Sequence, residues 1–114
     1  MKATIWHNPK CSKSREALEL LHDKGVDVEV VKYLESKPSK EEIEEILSKL
    51  HISARELMRT KEDLYKELEL KSVMDEQMLV AAMVENPKLI ERPIVITKKG
   101  VVIGRPPEKV LELF

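Results

Sequence analysis

The opening segment of this chain changes its period twice, and that alone removes most architectures. Ala3 to Trp6 is a short β-prone run halted by Asn8-Pro9. From Ser12 onward Ala17, Leu18 and Leu21 recur at helical spacing, and Gly25 supplies a stop just past the last of them. Val26, Val28 and Val30 then alternate with Asp27 and Glu29, which is the period of a strand. Strand, helix and strand in so short a stretch form a crossover unit, whose two strands run parallel. Neither an all-helical nor an all-β fold can begin this way.

Pro38 ends that unit. Ser39 and Glu42 form a capping box ahead of Ile43, Ile46, Leu47 and Leu50, and a second box, Ser53 with Glu56, opens a short helix carrying Leu57 and Met58. Leu64 and Leu68 predict another helical turn. Asp75 caps a further helix that turns Met78, Leu79, Ala82 and Met83 inward and ends near Asn86-Pro87. The five methionines read as core filling for this helical region. Ile94-Val95-Ile96 is then a buried-type strand, Lys98-Lys99-Gly100 a tight turn and Val101-Val102-Ile103 its hairpin partner. After Arg105-Pro106-Pro107, Val110, Leu111 and Phe114 share one face of a closing helix. The order β-α-β, helices, β-β-α predicts an α/β fold of thioredoxin-like type. Its sheet is mixed and four-stranded, and a single domain spans residues 1–114 with a helical insertion at about 39–86.

Charge narrows the function. Twenty basic against 21 acidic side chains leave a net charge of −1, without the basic excess that nucleic acid or a membrane surface requires. No apolar run approaches the ~20 residues of a bilayer-spanning helix. Met1 to Trp6 lacks the apolar core of a signal peptide, so the reducing cytoplasm is the expected location. One cysteine forbids an internal disulfide, and with only three histidines it offers no Cys/His zinc site. There is no Gly-rich phosphate loop, so no bound metal or cofactor is expected.

Cys11 is therefore an inert core residue or a working free thiol, and its position favours the second. His7-Asn8-Pro9-Lys10-Cys11-Ser12-Lys13-Ser14-Arg15 joins the first strand to the first helix. A thiol there meets unpaired backbone N–H groups and the positive end of the helix dipole, both of which favour thiolate over thiol. The same N–H groups can cradle an oxyanion. Arg15 lies one helical turn on, either as an anion ligand or as one solvated charge among several. His7 is either a proton-handling neighbour of the thiol or a residue that merely ends a strand.

Five motifs in order resemble the glutathione-dependent arsenate reductases of the ArsC family. They are Asn8-Pro9-Lys10-Cys11 with Ser14-Arg15, Arg55-Glu56-Leu57-Met58-Arg59, Asn86-Pro87, Arg92-Pro93-Ile94-Val95 and Gly104-Arg105-Pro106-Pro107. The resemblance implies that Cys11 is the nucleophile, that Arg59, Arg92 and Arg105 surround the oxyanion, and that His7 supports the thiol. It implies a cis bond before Pro93, and Gly104 is placed where backbone can approach a ligand closely. It also implies arsenate or a similar oxyanion as substrate, glutathione as co-substrate and glutaredoxin as partner. Guanidinium groups suit that task, since they offer fixed paired donors to a tetrahedral anion and offset the repulsion between it and a thiolate.

Ser12-Lys13 stands where the better-studied reductases carry Gly-Thr, which leaves the oxyanion open. Cys11-Ser12-Lys13-Ser14 is also the C-x-x-S pattern of monothiol glutathione-linked oxidoreductases. The Spx-type regulators that bind RNA polymerase share the fold, though many carry a C-x-x-C that Ser14 breaks here.

Overall fold

The computed structural model describes all residues, Met1–Phe114. They fall into two compact units, one built from Met1–Ser36 and Arg92–Phe114, the other from Lys37–Glu91.

The first unit holds the sheet. Strands β1 (Lys2–Trp6), β2 (Asp27–Val31), β3 (Ile94–Thr97) and β4 (Gly100–Ile103) lie in the order β2-β1-β3-β4. β1 pairs parallel with β2, Ala3 opposite Val28 and Ile5 opposite Val30, as the crossover demands. It pairs antiparallel with β3 on its other side, and β3 continues into β4 through the expected hairpin. The mixed four-stranded sheet matches the thioredoxin-like expectation.

Helix α1 (Ser12–Asp23) supplies the crossover. It ends in a complete Schellman motif: Gly25 takes φ 81°, its N–H reaches the His22 carbonyl at 2.9 Å, and the Val26 N–H reaches that of Leu21 at 3.0 Å. Ala17 and Leu21 then face Ala3, Ile5, Val26, Val95 and Val110 in one buried cluster. Each of the leucine, isoleucine and valine side chains among them stabilises the fold by about 1.5–3 kcal/mol when fully removed from water. Trp6 stacks on Tyr33, with ring centroids 6.4 Å apart. Tyr33 opens α2 (Tyr33–Ser36), a helical turn the sequence pattern did not announce. β2 is an edge strand with Val30 exposed, so its valine alternation marks a half-covered face. The closing segment Pro107–Leu113 is a 3-10 helix, tighter than the closing helix expected, and buries Val110 completely.

The second unit is helical. α3 (Lys40–Leu50) and α4 (Ala54–Leu57) begin at the two capping boxes, and in each the serine side chain and the glutamate side chain exchange bonds with the other's backbone. Met58 lies past the end of α4 in extended conformation and forms an antiparallel bridge with Ile90. α5 (Asp63–Glu67) forms where Leu64 and Leu68 predicted a turn, but Tyr65 is its buried residue and Leu68 is exposed. α6 (Glu76–Glu85), capped by Asp75, packs against α3 and α4 through Leu79, Val80 and Met83.

Met78 is not inward, as expected, but 58% exposed, and Met74 and Met1 are exposed as well. Only Met58 and Met83 fill core. In the apolar run Met78–Val84 every position is a candidate for burial, and the Asp75 cap fixes which face turns in. No helix is long and apolar enough to cross a membrane.

Candidate functional site

The loop between β1 and α1 is held by its own polar groups. Asn8 Oδ1 accepts the Lys10 N–H at 3.0 Å, and the Asn8 carbonyl accepts the Cys11 N–H at 3.0 Å. The Arg15 guanidinium donates to the Pro9 carbonyl at 3.1 Å, so it clamps the loop it follows.

Beneath the loop is a buried pair that sequence reasoning missed. Ser14 is fully buried and His7 nearly so, with Ser14 Oγ 2.6 Å from His7 Nδ1. The same oxygen accepts the Asn8 N–H at 3.1 Å. Ser14 Oγ can donate its proton to Nδ1 or accept from it, so the pair is hydrogen-bonded in either tautomer of the ring. Burial, then the charges of Lys32 and Arg15, hold His7 below its ordinary pKa and keep it neutral. The backbone of His7 is anchored too, its N–H donating to the Val31 carbonyl at 2.8 Å. The signal for Ser14 was present: Ala17 and Leu21, extended one turn back along the helix, land on it.

Cys11 is the N-cap residue of α1 and partly exposed. Its thiol makes no capping hydrogen bond, but the groups around it favour the ionised sulfur. Burial works to raise its pKa. The Ser14 backbone N–H, the Arg92 guanidinium as donor and as charge, and the Lys13 backbone N–H outweigh burial and hold it below the ordinary thiol value.

Arg92 and Arg105 are brought together. Arg105 Nη1 donates to the Arg92 carbonyl at 3.0 Å, and both arginines precede prolines in cis peptide bonds. The Nε of Arg92 is buried and has no hydrogen-bond partner. Gly104 is where the chain packs tightly against itself. A Cβ there would lie 2.8 Å from Pro93 Cγ and 3.0 Å from Val110 Cγ1, so the space is already filled by the chain itself. The Gly104 N–H donates to the Pro93 carbonyl at 2.9 Å, which fixes the end of β4 beside the Arg92-Pro93 step.

Arg59 stands in the second unit. Its backbone N–H donates to the Leu89 carbonyl at 2.7 Å, and its guanidinium is flanked by Glu62 at 2.7 Å and Glu91 at 3.6 Å. Arg55, from the same motif, is structural: it donates to Tyr65 Oη at 2.5 Å, to the Leu70 carbonyl at 3.0 Å and to the Val73 carbonyl. No group of three or more His, Cys, Asp or Glu side chains is placed to hold a metal ion.

The thiol stands between strand and helix with Arg92 before a cis proline, and the ArsC family model matches residues 6–113. The chain belongs to the ArsC family. It is 57% identical over 111 residues to the uncharacterized protein YfgD of Escherichia coli, covering 96% of this chain and 93% of that protein. An arsenate reductase of Neisseria meningitidis serogroup A is 48% identical over 108 residues, covering 93% and 92%. Among solved structures, an arsenate reductase from Vibrio cholerae aligns at TM-score 0.96 and 52% identity, covering 100% of this chain and 98% of that one. The chain is thus an arsenate-reductase-like ArsC protein with the thioredoxin-like fold of that family.

Proposed function

We propose that this protein is a glutathione- and glutaredoxin-dependent arsenate reductase with Cys11 as nucleophile. The observation that carries the reading is the environment of that sulfur. It is a thiol favoured as thiolate at the start of α1, faced by an arginine whose buried Nε–H has no partner in the protein. A buried N–H donor left unpaired costs about 1–3 kcal/mol, and an oxyanion oxygen satisfies it.

In this scheme arsenate binds to the first-turn N–H groups of α1, to Arg92 and Arg105, and to Arg59, which the family motif assigns. The Cys11 thiolate attacks arsenic, forming an S–As bond. An As–O bond breaks and its oxygen takes up protons and leaves as water. With one cysteine in the chain, the reducing thiols come from outside. Glutathione forms a second S–As bond as another As–O bond breaks and its oxygen leaves as water, and glutaredoxin then attacks the glutathionyl sulfur. Two thiols become one disulfide while As(V) gains two electrons, and hydrolysis of the S–As(III) bond releases arsenite and restores Cys11. A reducing cytoplasm, where these thiols abound, suits the cycle. His7 stays neutral beneath the loop and, through Ser14, holds the helix start; Arg15 holds the loop.

The test is arsenate-dependent NADPH consumption with glutathione, glutaredoxin and glutathione reductase supplied. Turnover is expected in the wild type and none in a folded Cys11→Ser variant. Activity retained by that variant overturns the scheme. Rate with a glutathionylated disulfide but not with arsenate assigns a different substrate.

A further inference from the structure

Arg59 is held in a way that its proposed role does not require. The chain around it is a short two-stranded crossing: Met58 bridges Ile90, the Arg59 N–H meets the Leu89 carbonyl, and the Glu91 N–H meets the Leu57 carbonyl at 2.9 Å. On this frame Glu62 Oε2 accepts from Arg59 Nη1 at 2.7 Å, and Glu91 Oε1 lies 3.6 Å from Nε. Glu62 is held in turn, its backbone N–H on the Arg59 carbonyl at 3.0 Å and its other carboxylate oxygen 3.4 Å from Lys88 Nζ. Its side chain is only 19% exposed, against 57% for Lys88, so the inner contact is the better shielded. The Arg59 guanidinium thus already carries a carboxylate on Nη1.

We propose that Glu62 is a competing carboxylate for Arg59. It orients the guanidinium in the absence of ligand and gives up Nη1 when the oxyanion arrives, which sets how strongly an anion must be charged to be bound. This rests on the reading of Arg59 as an oxyanion ligand. Glu91, farther away and on Nε, acts as a guide more than as a competitor.

Glu62→Gln separates these functions, because the amide oxygen still accepts from Nη1 while the competing charge is gone. Arsenate affinity is measured directly by calorimetry, and KM by the coupled assay. Kd and KM are expected to fall about two- to fivefold, as for a partly exposed ion pair. Glu91→Gln should change them less. In an Arg59→Ala background the Glu62→Gln effect should vanish. An unchanged or raised Kd in Glu62→Gln overturns the proposal, as does a loss confined to kcat. Arsenate bound but not reduced by the wild type overturns the reductase reading alone, and the Kd ratio still judges Glu62. No arsenate binding by either protein overturns both.

Discussion

Gly104→Ala adds a single methyl group where the structure leaves no room for one. The new Cβ would stand 2.8 Å from Pro93 Cγ, 3.0 Å from Val110 Cγ1 and 3.5 Å from Pro93 Cδ. Pro93 is a ring tied into the backbone and Val110 is fully buried, so neither can swing aside as a long side chain would. Overpacking of this kind costs about 1–3 kcal/mol. Gly104 does not have a left-handed φ, so alanine also removes chain entropy from the unfolded state, a gain of about 0.4–1 kcal/mol. The net expectation is a loss of about 1–2 kcal/mol, or a melting temperature lower by about 4–8 °C. Thermal unfolding followed by circular dichroism measures it. The second readout is chemical. Gly104 joins the end of β4 to the Arg92-Pro93 step, and Arg105 holds the Arg92 carbonyl, so displacement moves Arg92 relative to Cys11. The pH profile of Cys11 alkylation should shift toward the ordinary thiol range. A melting temperature equal to or above wild type would show the contact to be slack and refute the reasoning.

Ser14→Ala deprives the Asn8 N–H and His7 Nδ1 of their shared partner inside the fold, and should cost about 1–3 kcal/mol in urea denaturation. Arg92→Gln removes the guanidinium and the charge that favour the Cys11 thiolate, so the alkylation profile should move to higher pH; an unmoved profile would assign the effect to the helix terminus alone. His7 is held below its ordinary pKa, so the unfolded chain binds its proton first as the medium is acidified. Stability should be complete above pH about 6.5 and decline as pH falls through that range toward the lower native value, a slope that His7→Gln should flatten in pH-dependent urea titrations. His51 sits just past α3 at φ 56°, where glycine is unstrained, so His51→Gly should raise stability by up to about 1 kcal/mol in the same assay.

Much of this was legible in sequence because it is local. A capping box states its own geometry in four residues, and both boxes formed as written. The Val26–Val30 alternation and Gly25 fixed the crossover, and with it the place of Cys11 at the start of α1. What was not legible is non-local or degenerate. Met78 and Val80 are both apolar, and which one is buried depends on helix packing. The use of Gly104 depends on a proline eleven residues earlier, a pairing that the hairpin alone creates. The arginines were visible as motif positions. Their partners, the Arg92 carbonyl for Arg105 and Glu62 and Glu91 for Arg59, were not, because a charged residue on a polar loop shows nothing in sequence of whom it faces.

Cys11 occupies the position where helices ordinarily carry a serine or aspartate whose oxygen receives the N–H groups of the first turn. Here the sulfur accepts no capping hydrogen bond, but the Ser14 and Lys13 amides favour its ionised form. Sulfur bonded to arsenic, or to another sulfur, no longer carries the charge that drew those amides. In the proposed cycle the first-turn amides of α1 therefore pass from sulfur to a substrate oxygen and back. Amide exchange at Lys13 and Ser14 should quicken when Cys11 is alkylated and slow again when an oxyanion is added, making two backbone protons a running record of the state of the sulfur.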